Sequence, residues 1–181
     1  MKKAIALLLT GLFLHAAPAS AGYADDRAEI ENLAAIYLQA MDARDMDAYV
    51  GTFTEDGVLD WVNGVEYGRA EIRDAIGNWG NPPTIAADAT SRPRQRHNIL
   101  NHVIFVDGDT ATERAYWVAF TNQTPQRDVQ VLYFGHYESE LRRVDGRWLY
   151  SRRKIYNESL QNREAFYPAL GERDPRPAAS Q

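Results

Sequence analysis

Histidine is the side chain best suited to moving protons near neutral pH. The 181-residue sequence holds four, at positions 15, 97, 102 and 136. A neutral imidazole takes a proton from carbon or oxygen. A buried carboxylate bonded to its other nitrogen fixes the tautomer and stabilises the imidazolium that forms. His97 stands on a predicted strand with Asn101 four residues on, so parity puts both on one face with Ile99, Val103 and Phe105. In that pattern His97 is either a general base or a hydrogen-bonded core residue. Asn101 either binds a substrate oxygen or satisfies buried backbone. Parity sends His102 to the opposite face as an exposed or interface residue, and places His136 outside the pocket beside Glu138 and Glu140. Asp42 stands at the predicted end of the first helix, where it either terminates the helix or supplies a carboxylate to a base.

Other chemistries are excluded by what the sequence lacks. Without cysteine there is no disulfide scaffold, thiolate metal site, iron–sulfur cluster or cysteine nucleophile. No two histidines stand at metal-ligand spacing, and there is neither a glycine-rich phosphate loop nor a nucleophile elbow. The expectation is therefore chemistry with no metal and no cofactor. The formal charge is −5, and the runs Arg142-Arg143 and Arg152-Arg153-Lys154 are short, which argues against a nucleic-acid partner. Tyr37, Tyr49, Trp61, Trp79, Trp117, Tyr133 and Tyr137 could line a pocket for a small apolar or aromatic guest, and fit a core equally well.

The elements that must position these residues follow from periodicity. Ile30, Leu33, Ala34, Tyr37 and Met41 form one apolar stripe, predicting a helix from Asp25 to about Asp42–Arg44. A short helix follows, with Asp45 as its N-cap. Phe53–Gly57 reads as a turn, Val58–Val62 and Val65–Tyr67 as a hairpin about Asn63-Gly64, and Arg69–Asn78 as a third helix. Residues 80–93 read as a loop. Four long strands are predicted over 96–106, 110–121, 129–143 and 147–156, with tight turns at Asp107-Gly108-Asp109 and Asp145-Gly146. On the second of these, Ala111, Glu113, Ala115, Trp117 and Ala119 share a face. Helices first and an antiparallel meander second predict an α+β fold, with a curved, mostly antiparallel sheet wrapped around the N-terminal helices and a pocket between the layers.

Residues 1–21 have the charged start, apolar stretch and Ala19-Ser20-Ala21 end of a secretory signal peptide. The apolar stretch is about half the ~20 residues a membrane span needs. Cleavage after Ala21 removes Lys2, Lys3 and His15, leaves a formal charge of −7, and predicts a periplasmic or secreted protein with no stable membrane span. A domain is expected over 22–160 and a loose tail over 161–181.

The order Ala40-Met41-Asp42-Ala43-Arg44-Asp45, Phe53-Thr54-Glu55-Asp56-Gly57, Arg96-His97 with Asn101, Gly108-Asp109-Thr110-Ala111, and Gly135-His136-Tyr137 leading to Arg143, Asp145-Gly146 and Trp148 resembles the SnoaL-like branch of the nuclear transport factor 2-like superfamily. The resemblance spans roughly residues 25–157. It implies a cone-shaped fold that pairs as a homodimer or homotrimer. It also implies that Asp42 orients His97 as a base, as in the family's dehydratase and dehydrochlorinase, with Arg143 or a pocket tyrosine as electrophile. Scytalone dehydratase's second histidine and its tyrosine fall at Ala115 and Met41 here, and the dehydrochlorinase's lysine at Tyr37. Those two particular reactions are therefore not expected. A lyase or isomerase acting on a small aromatic substrate is expected, or else a binding module using the same pocket.

Overall fold

The computed structural model describes residues 22–78, 95–122, 125–126 and 128–160. The expected signal peptide, Trp79, the 80–93 loop and the tail lie outside these residues. Helix α1 runs Tyr23–Ala43, α2 Met46–Gly51 and α3 Gly68–Asn78. The strands are β1 Phe53–Trp61, β2 Gly64–Tyr67, β3 Gln95–Asp107, β4 Thr110–Thr121, β5 Gln130–Val144 and β6 Arg147–Asn157. The six form one sheet in the order β2-β1-β6-β5-β4-β3. Every neighbouring pair is antiparallel except β1 with β6. The fold is the expected α+β arrangement, an open curved sheet with the helices on its inner face.

The apolar stripe of α1 is the reason for the packing. Ile30, Leu33, Ala34, Tyr37 and Leu38 are buried against the inward residues of the sheet, Ala111, Ala115, Trp117 and Ala119 among them. At its C-terminal end Arg44 takes the left-handed conformation (φ 59°). The Arg44 and Asp45 amides then return to the carbonyls of Met41 and Ala40, closing the open end of the helix. That closure leaves Asp42 in the last helical turn. Asp45 caps α2 as expected, accepting the Ala48 amide at 3.0 Å. Two charged side chains hold the other end of α1. Buried Asp26 accepts from Trp148 Nε1 at 3.2 Å and from Arg143.

Two departures from the sequence expectation have local causes. Phe53–Gly57 is the irregular first part of β1 rather than a turn, with a register shift before Val58. The Arg69 guanidinium donates to the Phe53 carbonyl at 2.6 and 2.9 Å and holds the irregularity in place. On β3, Leu100 pairs with Tyr116 but Val103 pairs with Arg114, so Asn101 and His102 together oppose Ala115 in a β-bulge. Asn101 takes φ 50° there. One extra residue inverts parity for the rest of the strand. Asn101, Val103 and Phe105 therefore face outward and are exposed, while His102 and Ile104 turn inward.

Candidate active site

The last turn of α1 and the start of β3 bring Asp42 and His97 together. Asp42 Oδ1 is 2.7 Å from His97 Nδ1, and its Oδ2 accepts the His97 backbone amide at 3.0 Å. Both side chains are nearly buried, 10% and 8% exposed. A carboxylate gripping backbone and ring together fixes the rotamer of both. The Nδ1 atom is then the donor, and Nε2 is the nitrogen with a lone pair.

His97 lines a cavity of about 60 Å³ with Met41, Trp61, Val62, Ile76, Trp117, Tyr133, Tyr137, Ile155 and Asn157. Four of the expected aromatic lining residues are thus at the cavity. The His97 ring lies 6.2 Å from Trp117, which stacks on Tyr137 at 5.8 Å. Trp117 Nε1 reaches across β5 to donate to the Tyr156 carbonyl at 3.2 Å. The crossing requires Gly135, because a Cβ there would stand 1.8 Å from the Tyr156 oxygen and 3.1 Å from Trp117 Nε1.

Four expected site residues lie elsewhere. Tyr37 and Tyr49 are fully buried behind the cavity, where Tyr49 donates to the Tyr37 hydroxyl at 2.8 Å. They belong to the core rather than to a substrate surface. Asn101 is carried outward by the bulge. Arg143 sits at the far end of β5 from Tyr133, over Trp148 at 4.5 Å, bound to Asp26 and 3.6 and 3.4 Å from Glu29 and Asp109. It ties the start of α1 to the sheet and does not reach the cavity. His136 is outside, as expected, stacked on Tyr156 at 4.2 Å and paired with Glu158.

A buried charge cluster next to the cavity was not anticipated. Arg153 is completely buried, its guanidinium 3.8 Å from the Tyr137 ring centre, 4.3 Å from Tyr37 and 4.4 Å from Tyr150. Its Nη1 donates to Glu113 Oε1 at 2.5 Å and to Ser139 Oγ at 3.2 Å. Glu113 Oε2 lies 3.0 Å from His102 Nε2. Burial pushes the Glu113 carboxyl up, but Arg153 and then His102 outweigh it and hold the group below its ordinary value. Burial pushes the phenols of Tyr37, Tyr49, Tyr137 and Tyr150 up despite the nearby cation. The usable signals were the unpaired alternation of Glu113 on an otherwise apolar face and the arginine inside the last strand.

Residues 22–154 match the SnoaL-like domain, and the chain belongs to that family. Solved structures agree. The Mycobacterium tuberculosis protein Rv3472, of unknown function, is 27% identical with a TM-score of 0.62, covering 85% of each chain. An NTF2-like protein with a cystatin-like fold from Novosphingobium aromaticivorans is 25% identical with a TM-score of 0.63, over 81% of this chain and 91% of that one. A candidate scytalone dehydratase from Novosphingobium aromaticivorans is 22% identical with a TM-score of 0.57, over 72% and 83%. None of the curated proteins compared matches the chain. The fold is the NTF2-like, cystatin-like one.

Proposed function

We propose that the protein is a cofactor-independent lyase or isomerase, of dehydratase or formaldehyde-lyase type, acting on a small aromatic substrate. The observation that carries this reading is the Asp42–His97 pair on the wall of an aromatic cavity. His97 Nε2 removes a proton from the substrate, and Asp42 holds the ring and stabilises the imidazolium. Tyr133 or Tyr137 replaces Arg143 as the electrophilic partner, since Arg143 is elsewhere. Trp61, Trp117 and the tyrosine rings hold an aromatic guest against the base, which supplies rate through positioning. The likeness to a candidate scytalone dehydratase supports the fold of such an enzyme and not its substrate.

The test is product formation followed by mass over a panel of aromatic alcohols, lignin-type dimers and polyketide-like phenols. Turnover that collapses in both His97→Ala and Asp42→Asn, with folding intact, supports the lyase and reads the leaving group from the mass lost. Tight binding without conversion supports the second reading, a small-molecule-binding module. That reading draws on Ala115 and Met41, which put no second proton-transfer group where scytalone dehydratase has its own.

Two further expectations accompany the proposal. The chain is exported after cleavage behind Ala21, which the mass of the purified protein tests. It assembles as a homodimer or homotrimer through the outer sheet face, where Leu100, Phe105, Tyr116, Val131 and Phe134 are all about half exposed or more.

A further inference from the structure

A hydroxyl buried beside a cavity needs an acceptor for its hydrogen, because an unpaired donor away from water costs free energy. Tyr137 on β5 is 2% exposed and lines the cavity with His97. No acceptor among the described residues takes its phenolic hydrogen. Arg153 bears on the phenol, but a guanidinium only donates, so that contact leaves the hydrogen unspent. Tyr133, the cavity's other tyrosine, is only half-buried and can give its hydrogen to water. The buried and unspent donor on the cavity wall is thus that of Tyr137.

The Arg153 guanidinium is held against this same ring. Its Nη1 is fixed by Glu113 and Ser139. Its Nε and Nη2 have no hydrogen-bond partner among the described residues. Their charge meets ring faces instead, and the Tyr137 centre, at 3.8 Å, is closer than those of Tyr37 and Tyr150. A cation over a phenol ring draws electron density from the oxygen and makes the O–H a stronger donor. Burial pushes the Tyr137 phenol up, and Arg153 pulls against it.

We propose that Arg153 is a positioning residue that holds and polarises Tyr137, so that Tyr137 donates a hydrogen bond to the carbonyl oxygen of an aromatic ketone bound beside His97. The inference rests on the lyase or isomerase reading for its catalytic meaning. In that chemistry His97 Nε2 takes a proton from the carbon next to the carbonyl. The carbon–hydrogen electron pair moves into the carbon–carbon bond, and the carbonyl oxygen takes the negative charge. Tyr137 keeps its proton and stabilises that oxygen through the hydrogen bond. Arg153, pinned by Glu113, touches no substrate and acts through the ring.

The experiment reads the hydrogen bond directly and needs no turnover. Acetophenone is bound to the purified protein, and its carbonyl stretch is separated from the amide band by isotope difference. In wild type the stretch is expected at lower frequency than in hexane, as for a carbonyl that accepts a hydrogen bond. Tyr137→Phe returns it toward the hexane value and weakens acetophenone about fivefold, the worth of one neutral hydrogen bond. Tyr133→Phe leaves the stretch displaced. Arg153→Met strands Glu113, so the arginine is tested in the double variant Glu113→Gln/Arg153→Met. Its stretch should lie between those of wild type and Tyr137→Phe, while Arg153→Lys, which keeps a cation on the ring, retains most of the displacement. A purely structural arginine lowers stability in these variants without moving the stretch, and that result overturns the proposal. Failure of acetophenone to bind, an undisplaced stretch in wild type, or a displacement that survives Tyr137→Phe overturns it equally. His97→Ala keeps the displacement if Tyr137 supplies it, so failure of the lyase reading is seen separately, as absence of turnover with the displaced stretch intact.

Discussion

Removing the Arg153 cation should expose how the interior beside the cavity is held together. In Arg153→Met the Glu113 carboxylate stays at a site with no exposure, and Tyr150, Ser139 and His102 are its remaining partners. Breaking a fully buried pair by deleting one member costs about 3–5 kcal/mol, because the other charge is left uncompensated. With a urea slope of about 2 kcal/mol per molar, the unfolding midpoint should fall by about 2 M. The double variant Glu113→Gln/Arg153→Met carries no stranded charge and should recover most of that loss. The pH dependence gives a second reading with a definite sign. In wild type Glu113 is held below its unfolded value, so its stabilisation is complete above about pH 4.3 and is lost as pH falls through the folded value. Without Arg153 the burial contribution dominates and raises the carboxyl above its unfolded value. Folding then takes up a proton on Glu113, and acidification toward about pH 4.5 should stabilise the variant relative to wild type. Urea titrations across that range measure both effects. Parallel pH curves for variant and wild type, or a double variant as unstable as the single, would refute the reasoning.

Other positions give further tests. Asp42→Asn should lower kcat on any substrate found by about a hundredfold or more with little change in KM, because the amide cannot fix the His97 tautomer and stabilise its cation together; an unchanged kcat would remove the pair from the mechanism. Gly135→Ala should cost at least about 3 kcal/mol and alter tryptophan emission, since the added Cβ displaces the Trp117 bridge to β6. Asp45→Ala should cost about 1 kcal/mol through loss of the α2 cap, a fall in Tm of a few degrees by calorimetry. Tyr116→Lys on the outer face should shift the assembly toward monomer in sedimentation, leaving the tryptophan environment of the cavity unchanged.

Most of the fold was legible because its signals are local. The α1 stripe, the Asp45 cap, the Asn63-Gly64 hairpin and the four long strands each follow from spacing or turn chemistry, and all are present in the structure. The Asp42–His97 contact was expected from the family resemblance, and Trp61, Trp117, Tyr133 and Tyr137, singled out by aromatic content, line the cavity beside it. What escaped depended on distance or on one irregular residue. Arg143 was named from the family resemblance alone, and the Asp26 that captures it is 117 residues away in sequence. Arg153 lies inside a run of three basic residues, too short to suggest a nucleic-acid partner and with nothing local to mark one member as buried. Its burial becomes visible only when β6 is laid beside β5 and Ser139 meets it in register. Asn157 stood at the end of the last strand, and nothing in the linear sequence says that the sheet curls to bring it to His97.

The bulge at Asn101 and His102 explains why one strand carries two histidine–carboxylate pairs with different prospects. An unbroken β3 would have put His97, Asn101 and Phe105 on one face and His102 on the other. The extra residue turns His102 inward instead, onto Glu113, whose second oxygen is already held by Arg153, Ser139 and Tyr150. In that pair the carboxylate serves a buried cation first. Among the described residues Asp42, by contrast, gives both oxygens to His97, and His97 keeps its second nitrogen at a cavity. Similar residue types at similar distances therefore divide into a structural pair and a candidate catalytic one. The division is made by what else the carboxylate must neutralise and by whether the imidazole's other nitrogen meets a cavity where a ligand can come.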